Sequence, residues 1–260
     1  YKADEAYLIG EEEEPLKPYL DIEAIIKTAK DNQVDAIHPG YGFLSENVLF
    51  ARRCREEGLI FIGPAPEVME QLGDKIAAKK IARSLGVPVI EDSRHDLADA
   101  SLAIAEAERI GFPVILKAAA GGGGRGMRVV REKGDLAASF TEARSEAGKA
   151  FGDGTIFIEK FIDQPKHIEV QLLADNHGSM VHLFERDCSV QRRFQKVVEI
   201  APAPHLPQKV KQQGYDYALK IARAVNYNNA CTGDLGVDSY NHVYFIEVNA
   251  RIQVEHTVTE

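Results

Sequence analysis

The feature that most constrains this chain is a glycine tract with a strand on each side of it. FPVILKA (Phe112 to Ala118) is a short apolar run with β-branched residues, and MRVVRE, beginning at Met127, also reads as strand. Between them Gly121, Gly123 and Gly126 satisfy G-x-G-x-x-G, the pattern of a dinucleotide-binding turn. That turn runs from a strand directly into a helix. Here a second strand follows, so the tract is the tip of a hairpin, which argues against NAD. Gly121, Gly122, Gly123, Gly124 and Gly126 instead offer backbone N–H groups that can close over phosphates, with the conformational freedom of a lid.

The rest of the chain supplies the frame. DIEAIIKTAKDNQ (Asp21 to Gln33) has apolar residues at helical spacing, VDAIHPG is a strand entering a turn, ENVLFARRCREEG is a second helix and LIFIG a second strand. Such alternation predicts a parallel, doubly wound sheet. The glutamates at 11–14, followed by Pro15 and Pro18, read as a solvated loop. Residues 63–88 read as a helical linker interrupted at Gly73, residues 89–161 as a small α+β lid, and 162–260 as a larger unit of long antiparallel strands around one helix. The turn NHG (Asn176 to Gly178) closes a hairpin between HIEVQLLAD and SMVHLFERDCSV. The fold class is therefore mixed α/β and α+β: the end of a doubly wound domain (1–62), then a lid and a larger antiparallel sheet.

Composition excludes several functions. A net charge of −9 over 260 residues makes nucleic acid an unlikely general partner. Three cysteines (Cys54, Cys188, Cys231) without CxxC spacing indicate neither a disulfide framework nor a zinc site, and no apolar run reaches the length of a membrane span. These features fit a cytoplasmic protein, or a mitochondrial matrix one in a eukaryote. The missing initial Met and the ending HTVTE read as a fragment cut at both ends.

Charges inside apolar strands are costly unless a partner or ligand compensates them. In IEVNARIQVEH (Ile246 to His256), period-2 alternation places Glu247, Asn249, Arg251, Gln253 and Glu255 on one strand face. Glu247 and Asn249 are hard oxygen ligands suited to Mg²⁺ and phosphate, Arg251 is a planar fork for an oxyanion, and Glu255 is a candidate general base. ERDCSVQRRFQKVVE (Glu185 to Glu199) packs Arg186, Arg192, Arg193 and Lys196 into a local positive patch, with Glu199 available for metal or an ion pair. Lys117, before the glycines, and Lys75, in GDK, are candidate phosphate contacts. HPGYGFLSEN (His38 to Asn47) ends a parallel strand, where open α/β sheets bind ligands. Spacing alone reaches an ATP- and Mg²⁺-using site for an oxyanion and goes no further.

GDK, FPVILKAAAGGGGRGMRVV, FIEKFI, HIEVQ, ERDCSVQRRFQKVVEIAPAP and YFIEVNARIQVEH, in this order, resemble the ATP-grasp core of a biotin carboxylase over essentially the whole chain. YKADEAYLIG, YLDIEAII, ERDCSVQRR and HTVTE resemble most the pyruvate carboxylase branch, with acetyl-CoA and propionyl-CoA carboxylases, or a non-catalytic ATP-binding module, as rivals. The resemblance implies ATP held by Lys75, Lys117, the glycine lid, Met127, the segment Glu159–Lys160–Phe161, His167 and Gln191. It implies Mg²⁺ (or Mn²⁺) on Asp234, Glu247 and Asn249, and bicarbonate on Arg251, Gln253 and Val254. Glu255 would then deprotonate bicarbonate and Lys196 would hold the carboxyphosphate. Biotin, carried as substrate by a biotin carrier domain, would lie near Tyr41 and Gly42. A carboxyltransferase domain and a homo-oligomer are further implied partners. Four departures from the pattern are expected to matter: Phe194 where it has His, Asp234 where it has Glu, Ala250 where Pro is frequent, and the absence from this sequence of the family's C-terminal segment, with an arginine that orients biotin and a wall of the adenine pocket.

Overall fold

A computed structural model describes residues 3–10, 15–93, 97–119, 127–192 and 195–260, with the backbone alone at Lys75 and Phe151. The glycines of the hairpin tip, the glutamates at 11–14 and Phe194 lie outside the described residues.

The first unit is α1 (Ile22–Asp31), β1 (Ala36–Ile37), α2 (Val48–Glu56) and β2 (Ile60–Phe61). β1 and β2 pair in parallel, as the alternation requires, with Ala36 opposite Ile60. Each helix starts at a side-chain cap: Asp21 accepts from the Ala24 N–H, and Asn47 from that of Phe50. Ile26, Leu44, Phe50, Cys54 and Leu59 form its core.

Helices α3 (Pro66–Gly73) and α4 (Lys75–Ser84) follow, broken where Asp74 caps α4. Their apolar faces (Val68, Leu72, Ala78, Ala82) join the core of the large sheet. The linker is thus packed on that sheet.

The lid is α5 (Ala100–Ile110), β3 (Val114–Ala118), β4 (Met127–Val130), α6 (Lys133–Phe151) and β5 (Ile156–Lys160). β3 is the central strand of an antiparallel three-stranded sheet, ordered β4-β3-β5. The expected hairpin of β3 and β4 is present, Lys117 opposite Met127. Alternation along β3 sends Val114, Leu116 and Ala118 into a core with Leu136, Phe140 and Ala107 of the two helices. Ile115 and Lys117 therefore face the other way.

The large unit contains β6 (Lys166–Ala174), β7 (Met180–Arg192), β8 (Gln195–Ile200), α7 (Gln208–Ala224), β9 (Asn229–Val237), β10 (Val243–Asn249) and the short α8 (His256–Thr259). The strands form an antiparallel five-stranded sheet in the order β10-β9-β6-β7-β8. One face carries Ile168, Val170, Leu172 and Leu235 against Ala218 and Ile221 of α7. Gly233 permits this contact: a Cβ there would come within 3.1 Å of the Ala218 Cβ. The opposite face is polar. It carries Arg186, Glu169, Asp234 and Glu247 in one continuous row across β7, β6, β9 and β10.

One sequence expectation fails here. The strand face expected to run from Glu247 to Glu255 stops at Asn249, and residues 250–255 form an irregular turn before α8. Glu46, from the loop after β1, accepts from the Ala250 N–H (3.2 Å) and from Arg251 Nε (3.0 Å), which draws the chain out of the ladder. Arg251, Gln253 and Glu255 are gathered by this turn, and period-2 alternation has no part in placing them.

Candidate active site

The row on the polar face is the base of the site. Glu169 and Arg186 side chains are 0% exposed and joined at 2.9 Å. Lys196, on β8, contacts Glu169 Oε1 as an ion pair without hydrogen-bond alignment and lies 2.8 Å from Glu255 Oε1. A buried carboxylate, an ammonium and a second carboxylate thus run in series from the sheet to the turn. Burial alone would raise the Glu255 carboxyl, but its hydrogen bond from Lys196 outweighs this and holds it below the usual range. Burial would lower the Lys196 ammonium, yet Asp234, Glu169 and Glu255 hold it well above its ordinary value. Both groups are therefore charged at neutral pH.

Beside them Asp234 is buried, its two oxygens engaged by His167 Nε2 and Asn249 Nδ2, each at 3.1 Å. Burial, with the charge of Glu169 adding to it, pushes the Asp234 carboxyl up to about 6. Burial works against a charged His167 too, but the hydrogen bond to Asp234 and the neighbouring carboxylates hold it above its usual range. Gln191 Nε2 lies 2.8 Å from His167 Nδ1, so the two residues expected together are together. His167, Glu169 and Asp234 bring ligand atoms within 4.8 Å of one another, the one such group of His, Cys, Asp and Glu among the described residues. The β9–β10 register sets Glu247 directly opposite Asp234. The sequence trio Asp234, Glu247 and Asn249 is thus a neighbourhood in space, and its hard oxygens fit Mg²⁺.

In the lid, Glu159 is buried and paired with both Lys117 and Lys79 of α4. Burial would raise its carboxyl, but the two ammonium charges hold it low. Lys117, expected on phosphate, is thus shown on a carboxylate. The Lys160 ammonium turns to the carbonyls of Gly111 and Phe112, both at 2.9 Å, and its backbone N–H donates to the Glu91 carbonyl at 2.7 Å. Met127 opens β4 beside Lys117. In the first unit Tyr41 is exposed, and His38 Nδ1 accepts from the Gly40 N–H in a turn. Arg251 and Ile252 share a small cavity with His38, Pro39 and Gly40, so the expected biotin loop and oxyanion turn adjoin.

Two residues need correction or addition. Arg186 does not belong to an exposed anion patch: it is wholly buried and occupied by neutral and acidic side chains. Glu169 was missed. Its signal was present in HIEVQ, where Glu169 and Gln171 alternate with Ile168 and Val170 just as the polar residues of the 246–256 segment alternate.

This combination, a small unit with a three-stranded antiparallel sheet and a larger five-stranded antiparallel sheet whose polar face carries carboxylates and cations, defines an ATP-grasp enzyme. Residues 74–260 match the family model described as carbamoyl-phosphate synthase L chain, ATP binding domain, and residues 1–69 match biotin carboxylase, N-terminal domain. The chain belongs to the biotin carboxylase family of ATP-grasp proteins. It is 55% identical to pyruvate carboxylase of Aspergillus niger over 261 aligned positions and 53% identical to that of Bacillus subtilis over 260, covering 100% of this chain in both cases. It spans 22% and 23% of those relatives' lengths. Its fold superposes on a biotin carboxylase–βγ-ATP complex from Campylobacter jejuni with a TM-score of 0.88 at 49% identity, covering 97% of this chain and 56% of that one. The biotin carboxylase domain of a Hydrogenobacter thermophilus 2-oxoglutarate carboxylase, in complex with MgADP, ADP and bicarbonate, gives 0.88 at 48% identity, covering 99% and 56%. No helix of the described residues is long and apolar enough to cross a membrane.

Proposed function

We propose that the chain is the biotin carboxylase region of a pyruvate carboxylase, using ATP and bicarbonate to carboxylate biotin carried by another domain. The observation that carries this reading is the series Glu169, Lys196, Glu255, which joins a metal-capable acidic row to a turn bearing Arg251 and Gln253. The complexes of the structural relatives with βγ-ATP and with MgADP and bicarbonate support the choice of ligands.

In this reading Lys75 and Lys117 bind the ATP phosphates as point charges, and the backbone of 159–161 borders the adenine. Asp234, Glu247 and Asn249 would hold Mg²⁺, which when bound supplies positive charge to the phosphate oxygens. Arg251, Gln253 and the backbone at Val254 hold bicarbonate. Glu255, kept ionised by Lys196, accepts its proton. The bicarbonate oxygen then attacks the γ-phosphorus, so that a new O–P bond forms as the bond to ADP breaks. Lys196 lies between the two carboxylates, where it can stabilise the carboxyphosphate dianion electrostatically. Carboxyphosphate splits into CO₂ and inorganic phosphate, and the ureido N1 of biotin, beside Tyr41 and Gly42, forms its bond to the CO₂ carbon as the N1 proton passes to the released phosphate. The carrier, the carboxyltransferase domain that delivers the carboxyl group to pyruvate, a homo-oligomeric assembly and a cytoplasmic or matrix location complete the proposal. The division at residues 62, 88 and 161 is part of it.

The test is release of ADP from MgATP by the full-length protein, with bicarbonate and free biotin added separately. The reading predicts cleavage that requires bicarbonate. Cleavage indifferent to bicarbonate would overturn the assignment of bicarbonate as substrate, and nucleotide binding without cleavage would support a non-catalytic module instead.

A further inference from the structure

Arg186 is the largest fully buried side chain of the described residues, and its guanidinium reaches four separate segments. Nη2 donates to Glu169 Oε2 at 2.9 Å, to Gln253 Oε1 at 3.2 Å and, at the long distance of 3.4 Å, to Thr232 Oγ1. Nη1 donates to Gln171 Oε1 and to Thr259 Oγ1, both at 2.9 Å. No part of this group reaches solvent, so it touches no substrate. A buried guanidinium this heavily engaged nevertheless fixes the groups around it.

The geometry points to Arg186 as a positioning residue for the bicarbonate subsite, acting by locking the side-chain amide of Gln253 and the carboxylate of Glu169. The inference rests on the functional reading above and names the residue that sets its oxyanion specificity. A guanidinium only donates. Facing Arg186, the Gln253 amide must therefore present its oxygen, and its NH₂ is the edge left to donate to an oxyanion. Without the guanidinium both amide orientations become available, and one of them turns a carbonyl oxygen toward the anion. On its other side Arg186 fixes Glu169, whose second oxygen contacts Lys196, and Lys196 in turn holds Glu255. One residue thus sets the donor and aligns the base of the same subsite, while Lys117 of the lid is not among its hydrogen-bond partners.

The test uses the full-length protein and initial rates of ADP release, with bicarbonate and MgATP varied separately. Arg186→Lys keeps a charge opposite Glu169 but loses the planar fork. The expected result is a folded protein whose half-saturating bicarbonate rises by about 10–100-fold, the range for losing a hydrogen bond to a charged group. Half-saturating MgATP stays within about three-fold, as expected for a change confined to one subsite. Unchanged bicarbonate saturation, or an equal rise for both substrates, overturns the proposal.

Gln253→Glu, made with Arg186 intact, gives a second decision that does not depend on how Arg186→Lys folds. The carboxylate still accepts from Arg186 but cannot donate, so bicarbonate saturation should weaken at least as much; unaltered saturation in this variant also overturns the proposal. In the double variant the two effects should be less than additive. If the unmodified protein shows no bicarbonate-dependent cleavage, the functional reading itself fails, an outcome separate from an active protein whose variants behave normally.

Discussion

Glu159 in the lid sheet and Glu169 in the large sheet are both buried strand glutamates held by two cations, but the cations differ in kind. Glu159 is paired with Lys117 and Lys79, whose side chains are 28% and 12% exposed, while Glu169 is locked to an Arg186 that is 0% exposed. A lysine is a point charge on a flexible stem and can exchange one anion for another; a buried guanidinium fork is committed to its partners. The lid cluster can rearrange, and under the proposed function Lys117 would leave Glu159 when phosphate arrives. The large-sheet cluster is held fixed, as the proposed anion and metal site requires.

The largest effect that separates the two is on stability. Glu169→Ala leaves two cations facing each other beneath the sheet, and breaking a buried pair in this way costs about 3–5 kcal/mol. Glu159→Ala leaves lysines that can turn to water, so a smaller loss of about 1.5–3 kcal/mol is expected, the scale of a hydrogen bond to a charged group. Urea unfolding of both variants measures this, and equal losses would break the contrast.

The next effect is on metal. Asp234→Ala should raise the Mg²⁺ needed for half-maximal ATP cleavage by roughly 10–100-fold, with Glu247→Gln moving it in the same direction. If the Mg²⁺ requirement stays unchanged in Asp234→Ala, position 234 is not a ligand and its role is confined to orienting His167 and Asn249.

The smallest effect is on pH. The Glu159 carboxyl lies below its ordinary value of 4.5, so its ion pairs contribute stability above that pH and lose it as the pH falls through the lowered folded value. Lys79→Met should make the acid limb of a melting-temperature profile shallower there, and an unchanged limb would show that the lid pairs add nothing.

Much of this was legible in the sequence because it is local. Asp21, Asn47, Asp74 and Asp99 mark helix starts, and each accepts from a backbone N–H of its own first turn. The hairpin of β3 and β4 followed from two apolar runs around a loop. Asp234, Glu247 and Asn249, although 13 to 15 residues apart in pairs across β9 and β10, came together because a hairpin register is regular. What local pattern could not show was the end of β10. Glu46, more than two hundred residues away in sequence, takes the Ala250 N–H and Arg251, and tertiary contact overrides the alternation. The burial of Arg186 was hidden for the same reason: four arginines and lysines in one segment look alike until strand pairing sets one of them against Glu169. Glu169 itself is readable from alternation in β6, where it and Gln171 interrupt the apolar residues Ile168 and Val170.

In the proposed function Glu255 is the group that takes the proton from bicarbonate, and the reacting centre depends on it most directly. In the full-length protein, Glu255→Gln keeps the size of the side chain and removes its basicity, so bicarbonate-dependent ATP cleavage should fall by about 10²–10⁴-fold. MgATP affinity, measured by direct binding, should change by no more than about three-fold, since the residue is assigned to the other substrate. Cleavage that persists near the unmodified rate with bicarbonate still required would contradict the assignment, and with it the reading of the Glu169, Lys196, Glu255 series as the reacting centre.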